Sequence, residues 1–317
     1  YALEVDSIRC LSSINPFSWQ KTAIKIIDLE PDLVLFSFWL AFFAPAFSGV
    51  AKKIKKYLDA TIMVICHNII PHEEHLLDTR LTKRFFGFID SFVVLSNKVE
   101  NELLSFVPGA KYKYSPHPVY NIFKNTLSKE QAKAELKIAT KKVLLFFGLI
   151  RKYKGLDILI KAMEKINTEL EDYTLLIVGE CYENKDKYID LIKKAGITDK
   201  VHCHYSFVPD NEVGKYFSAS DVVVLPYKTA SQSGIVQIAY HFDTPVIVSN
   251  VGGLPEIVDE GKTGYCVEPS SNAFAKAIKA FYEKDNISEL NSNISDYKSQ
   301  FSWNAMVNAI EELVNVH

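Results

Sequence analysis

The stretch Asp221-Val222-Val223-Val224-Leu225-Pro226, continued by Ser231-Gln232-Ser233-Gly234, Thr244-Pro245-Val246-Ile247-Val248 and Gly252-Gly253-Leu254-Pro255-Glu256-Ile257-Val258, decides the fold. It reads as strand, polar loop, helix, strand and glycine loop. Both loops follow the C-terminal ends of β-branched strands, which is where open α/β sheets take their ligands. A residue as small as Gly234 at a helix start lets free backbone amides approach an anion. A phosphorylated ligand is the expectation for this region.

Working outward, the same alternation fills the chain. Strands are predicted at 32–37, 61–67, 91–96, 143–148, 173–179, 201–207, 221–225 and 245–249. Helical patterns lie between most of them, among them 128–136, 156–170, 185–194, 211–217 and 272–284. Continuous apolar strands between amphipathic helices imply parallel sheets covered on both faces. A break falls at 115–127, where Pro116 and Pro118 precede polar sequence. The last pattern, 301–316, places Trp303, Met306, Ile310 and Leu313 on one helical face. It is expected to pack back on the first half.

The 317 residues make two domains the prior expectation. A net charge of −2 offers no basic field for nucleic acid. The five cysteines are odd in number and form no CxxC, so reduced thiols in a cytosolic protein are the reading. No signal peptide is visible. The apolar run 33–50 is interrupted by Pro45, serines and a glycine, and reads as strand, loop and helix start rather than a membrane span.

Several strand ends carry residues suited to an anion. Gly148-Leu149-Ile150-Arg151-Lys152-Tyr153-Lys154-Gly155 places three cations on one loop, and Arg and Lys complement a diphosphate as fork and point charge. A solvated basic turn is the bland alternative. Val178-Gly179-Glu180 and Gly252-Gly253 end two further strands. Ser233 and Gln237 share a helix face, either beside a ligand or as an ordinary polar stripe. Cys66-His67-Asn68 ends a strand in the first half, where His67 could hydrogen-bond a sugar hydroxyl or a phosphate oxygen. Pro71-His72-Glu73-Glu74-His75 lacks the HExxH spacing, and His202-Cys203-His204 alternates across a strand, so no metal site is expected. Lys52-Lys53-Ile54-Lys55-Lys56, after Phe42, Phe43, Phe47 and Val50, reads equally as a solvated helix face or as a contact with an anionic membrane surface.

Taken in order, these residues resemble the retaining glycosyltransferases of the GT-B fold, in particular family 4, the glycosyl transferases group 1. The resemblance covers Lys142 to about Asp285. It is weaker in the first half, where His67-Asn68, 90–96 and His117-Pro118 carry it. It implies an α/β protein of two Rossmann-like domains facing across a cleft. Residues 1–122 would form the acceptor side, without its first strand and helix, with 300–317 packing back on it. Residues 123–299 would bind the nucleotide sugar. By comparison with a complete Rossmann half, on the order of 50 residues would precede Tyr1. The chain looks most like bacterial members that build lipid-linked saccharides or surface polysaccharide.

The resemblance also assigns residues. Lys154, directly before Gly155, matches the lysine that binds the donor diphosphate. The family arginine follows the glycine closely, where Leu149 stands here, and Arg151 lies two residues on. Gly148, Glu180, Phe207, Val208, Ser231, Gln232, Ser233, Gly234, Ile235 and Gln237 would line the donor site, with Phe207-Val208 near the base. Arg151, Lys154 and His67 would act on the reacting groups. The family's spaced pair of glutamates around this helix is missing. Ser231 stands near the first, Ile238 or Ala239 at the second according to the direction of counting, and Gln237 is the nearest polar side chain.

The expected reaction is transfer of a sugar from a nucleotide-diphosphate donor to a hydroxyl of a saccharide or lipid-linked acceptor. It would proceed with retention and without a metal or other cofactor. Location would be cytoplasmic or peripheral at the inner face of the membrane. Two other classes stay open: a sugar-nucleotide epimerase or hydrolase using Glu73, Glu74 or Glu180, and a sugar-nucleotide-binding protein without turnover.

Overall fold

The computed structural model describes residues 7–70, 78–120, 122–123 and 127–314. The chain divides into two compact units, Tyr1–His117 with Trp303–His317, and Pro118–Ser302.

The first unit runs α1 (Pro16–Asp28), β1 (Leu33–Phe38), α2 (Ala44–Tyr57), β2 (Thr61–Cys66), α3 (Asp78–Phe86), β3 (Ser91–Val94), α4 (Asn97–Phe106) and β4 (Tyr112–Tyr114). Its four strands pair in parallel in sequence order, β1-β2-β3-β4. The pleat sends alternate residues to opposite faces. Phe36, Phe38, Ile62, Val64, Phe92 and Val94 join the core that takes in α2, α3 and α4. Met63, Val93 and Leu95 turn the other way and meet Met306 and Leu313 of the last helix.

Helix α2 settles the reading of its aromatics. Phe47 packs against Phe36 and Phe85 at ring separations of 5.2 and 5.5 Å, and Val50 and Ile54 are buried. This apolar face packs on the core. Lys52, Lys55 and Lys56 lie on the exposed face, with Lys55 paired to Asp90. Phe42 remains exposed, but at the opposite end of the helix from the lysines. Among the described residues no helix is long and apolar enough to cross a membrane.

The second unit runs α5 (Lys129–Glu135), β5 (Lys142–Phe147), α6 (Leu156–Ile166), β6 (Tyr173–Val178), α7 (Lys185–Lys194), β7 (Val201–His204), α8 (Asp210–Ala219), β8 (Val222–Leu225), α9 (Gly234–His241), β9 (Val246–Ser249), β10 (Gly264–Val267), α10 (Ser271–Glu283) and α11 (Ile287–Tyr297). Its six parallel strands stand in the order β10-β9-β8-β5-β6-β7. The chain winds outward from β5 through β6 to β7, then returns to the other side of β5 and winds out through β8 and β9. The strand order therefore reverses between β5 and β8, and a doubly wound sheet opens its ligand crevice at that point. Alternate residues along each strand fill two separate cores. Val143, Leu145, Phe147 and Val223 pack with α8 and α9, while Leu144, Phe146, Leu175 and Val222 pack with α6 and α10.

α12 (Trp303–Val314) returns the chain to the first unit.

All eight predicted strands are present, each with at least one end displaced by a residue or more. Two strands escape the sequence reading. β4, Tyr-Lys-Tyr, is a short edge strand with little apolar content, and β10 opens on Gly264 at an edge of the second unit's sheet. Asp221 proves to be a bracket rather than a strand residue. Its carboxylate accepts from the Val143 amide at 2.6 Å and from the Tyr282 hydroxyl at 3.3 Å, and it pairs with Lys129.

Candidate functional site

Because all six strands of the second unit run parallel, the loops after β5, β6, β7 and β8 emerge at one edge of the sheet. The loops are knitted together where glycines remove a side chain. Gly155 has φ +69°, and a Cβ there would stand 1.9 Å from the Pro226 carbonyl oxygen. A Cβ on Gly179 would come within 2.0 Å of the Gly148 oxygen, and one on Gly252 within 1.7 Å of the Ala230 oxygen. The Ile150 amide donates to Glu180 O at 2.9 Å, the Lys228 amide to Tyr153 O at 2.7 Å, and the Gly253 amide to Ser231 O at 3.2 Å. Residues distant in sequence are thus drawn to the β5/β8 switch point.

Lys154 sits at its centre. Its ammonium lies 3.8 Å from the centroid of the Tyr227 ring and 5.3 Å from that of Tyr153. Among the described residues it has no carboxylate within ion-pair distance. Burial penalises the charged form and pushes its pKa down to about 8, with the Tyr153 hydroxyl offsetting part of that. The neighbouring Lys228 differs, being paired with Asp157 at 2.8 Å. Arg151 is exposed and stacks on Tyr182, its guanidinium carbon 4.7 Å from the ring centroid.

Helix α9 begins beside this group. Ser233 is its N-cap. The hydroxyl oxygen accepts from the Ile235 amide at 3.3 Å and lies 3.3 Å from the Tyr227 hydroxyl. The first-turn amides of a helix have no partner within it and carry its positive end.

The expected donor-side residues have the following surroundings. The Ser233 hydroxyl holds the helix cap. The space left by the missing side chain of Gly234 is taken up by Tyr120, whose hydroxyl would lie 3.1 Å from a Cβ there. Gln237 is not an accessible polar face residue. It is 1 % exposed, with neither amide atom hydrogen-bonded among the described residues, because α9 is buried along most of its length. Val208 is buried in the core cluster of the second unit, whereas its neighbour Phe207 is 68 % exposed. Ser231 is buried and Gln232 half-buried on the loop before α9. Ile235 reaches the β5 end, where its Cδ1 would stand 3.2 Å from a Cβ on Gly148. Glu180 accepts from the Tyr182 hydroxyl at 3.0 Å.

Sequence reasoning missed Tyr227, Tyr182 and Tyr120. Tyr227 follows Leu225-Pro226 directly at a strand end, and that adjacency was the available signal.

In the first unit, His67 stands at the end of β2 and its Nε2 is 2.8 Å from the Ser37 hydroxyl at the end of β1. Burial first, then the neighbouring His117 ring at 6.0 Å, pushes its pKa down to about 4. It is a neutral imidazole at pH 7. The His72–His75 stretch, with Glu73 and Glu74, lies outside the described residues. Among the described residues no cluster of three or more His, Cys, Asp or Glu side chains could hold a metal, and His202 and Cys203 sit exposed on the β7 edge strand.

Comparison with known proteins matches residues 128–301, more than half of the chain, to the family described as Glycosyl transferases group 1. Spore coat protein SA of Bacillus subtilis is 28% identical over 85% of this chain and 75% of its own length. A D-inositol 3-phosphate glycosyltransferase of Corynebacterium aurimucosum is 30% identical over 58% of this chain, and the match spans only 45% of that enzyme. Among solved structures, Anabaena HepE in complex with UDP superposes with a TM-score of 0.78 at 20% identity, covering 95% of this chain and 82% of HepE. That likeness is one of fold.

Proposed function

From the premise that the chain belongs to the glycosyl transferases group 1 family, with the parallel-sheet units of a GT-B protein, we propose that it transfers a sugar from a nucleotide-diphosphate donor to an acceptor hydroxyl. The observation that carries this reading is Lys154, a half-buried ammonium without a carboxylate partner among the described residues, at the switch point of the sheet and beside the start of α9.

In this reading the departing diphosphate is the group to be stabilised. The bond from the sugar C1 to the phosphate oxygen breaks, and that oxygen takes the electron pair. The acceptor oxygen bonds to C1 on the same face, giving retention, and its proton leaves with the diphosphate. Lys154 supplies a fixed charge, Arg151 a planar fork, and the first-turn amides of α9 the positive end of a helix. These replace a metal ion. Phe207, exposed on the loop after β7, would stack on the base with Gly148, Glu180 and Ile235 bounding the pocket. Gln237, buried with two unmet hydrogen-bonding atoms, would meet the ribose only if the helix-side packing opens. His67, neutral and bonded to Ser37, would act on the acceptor side as a hydrogen-bonding group rather than a cation. The acceptor in this reading is a hydroxyl of a saccharide or of a lipid-linked saccharide.

A thermal-shift screen of UDP, GDP and ADP and their sugars tests the reading. One base series is expected to stabilise the protein selectively. Lys154→Ala is expected to abolish most of that shift and to lower kcat/KM on the order of a hundredfold while leaving the unliganded melting temperature in place. Unchanged kinetics in Lys154→Ala would sink the assignment. Hydrolysis of the donor with no acceptor present would point to a hydrolase, and selective binding with no turnover across an acceptor panel to a binding protein.

A further inference from the structure

Cations of the second unit are held in two ways, by carboxylates and by ring faces, and Lys187 and Lys215 by both. Lys129, Lys228 and Lys298 are tied to Asp221, Asp157 and Asp243. Lys154 and Arg151 are held over aromatic rings, those of Tyr227 and Tyr182. A carboxylate occupies the N–H donors that a phosphate would need. A ring face attracts the charge through its quadrupole and leaves the outward N–H groups open.

Resting on the donor-site reading above, we propose that Tyr227 and Tyr182 are positioning residues that seat Lys154 and Arg151 on their ring faces, keeping both cations in place with N–H donors left for the donor diphosphate beyond the one Lys154 gives Tyr153.

Each ring is itself fixed, and from opposite sides. Both strands that flank β5, β6 and β8, contribute one. Tyr227 follows β8. Its ring is 1 % exposed, and its hydroxyl is 3.3 Å from Ser233, the cap of α9. The ammonium is thereby registered against the helix start. Tyr182 follows β6. Its hydroxyl donates to Glu180 at 3.0 Å and its amide to Ile150 O at 3.1 Å, while the Ile150 amide donates back to Glu180 O at 2.9 Å. The guanidinium is thereby registered against the β5 loop.

The test separates ring from hydroxyl. Tyr227→Phe keeps the seat and drops the link to Ser233, whereas Tyr227→Leu drops the seat. Tyr182→Phe and Tyr182→Leu do the same at a residue 54 % exposed, where folding is not at stake. Inorganic pyrophosphate, UDP, GDP and ADP are titrated calorimetrically into each variant and into Lys154→Ala, from pH 7 to pH 9.5. The Phe variants are expected to bind within about twofold of the parent. Tyr227→Leu is expected to lose about tenfold and Tyr182→Leu about threefold, the ratios for a desolvated and an exposed cation–π contact. The pH at which affinity falls is expected to shift downward in Tyr227→Leu alone, since the ring favours the charged amine; a packing defect would not move it. Leu variants that bind like the parent with unshifted profiles, while Lys154→Ala binds weakly, overturn the seats and leave the donor site standing. Lys154→Ala binding like the parent overturns both.

Discussion

Lys154 concentrates the physics of the donor half at one atom. Held below the usual lysine range by burial, at about 8, it is charged at pH 7 and loses its proton within reach of mild alkali. Its titrating neighbours are Tyr153 and Tyr227. A diphosphate binds the charged form, so affinity for a nucleotide sugar is expected to fall as pH rises through about 8. Above that pH, binding should take up a proton. Calorimetry in buffers of different ionisation enthalpy reads that uptake, and an affinity flat to pH 10 would contradict it. His67 makes the opposite test in the first unit. Its folded pKa, about 4, lies below the ordinary 6.5, so the unfolded chain binds more protons between those values. Stability is therefore expected to decline as pH falls from about 6.5 towards 4. In His67→Gln that part of the decline should vanish, which urea midpoints across the window would show.

At the scale of elements, glycines set how closely the loops approach. Gly155 and Gly196 both have positive φ, +69° and +65°, but only Gly155 has backbone where a Cβ would go. Alanine at either site incurs the left-handed penalty of about 1–2 kcal/mol. Gly155→Ala should cost clearly more and weaken nucleotide binding, because Pro226 and the β8 loop must retreat. Equal urea midpoints for the two variants would show that the loop contact is unimportant. Much of this was legible in the sequence: the strands of the second unit read as apolar runs, Gly148 and Gly179 mark two of their ends, and Gly155 opens a helix. The tyrosines were not legible, since a tyrosine after a strand looks the same whether it carries a cation or fills a core. The burial of Gln237 was not legible for a related reason. Helical spacing gives a face, but whether that face meets solvent or packing is decided by neighbours such as Tyr240, which reaches Ile257 and Thr263.

At the scale of the molecule, the last helix belongs to the first unit. Met306 and Leu313 of α12 cover Met63, Val93 and Leu95 on the sheet face away from α2 and α3. Lys111 donates to Leu313 O at 2.9 Å, and Lys113 pairs with Glu312. Leu313→Ala should cost about 2–5 kcal/mol. Loss of hydrogen-exchange protection is expected in β2 and β3, far away in sequence, and unchanged protection there would refute the packing role.

The sequence by itself determined the fold class, the parallel strands and the loops that gather at their C-terminal ends. Periodicity and β-branching are local properties, and parallel sheets follow from them with few alternatives. The tertiary structure alone decided the strand order that places the switch point between β5 and β8. It also decided which cations are paired with carboxylates, which rest on rings, and which polar side chains are buried. Those outcomes depend on contacts between residues far apart in the chain, and no local pattern encodes the distance between them.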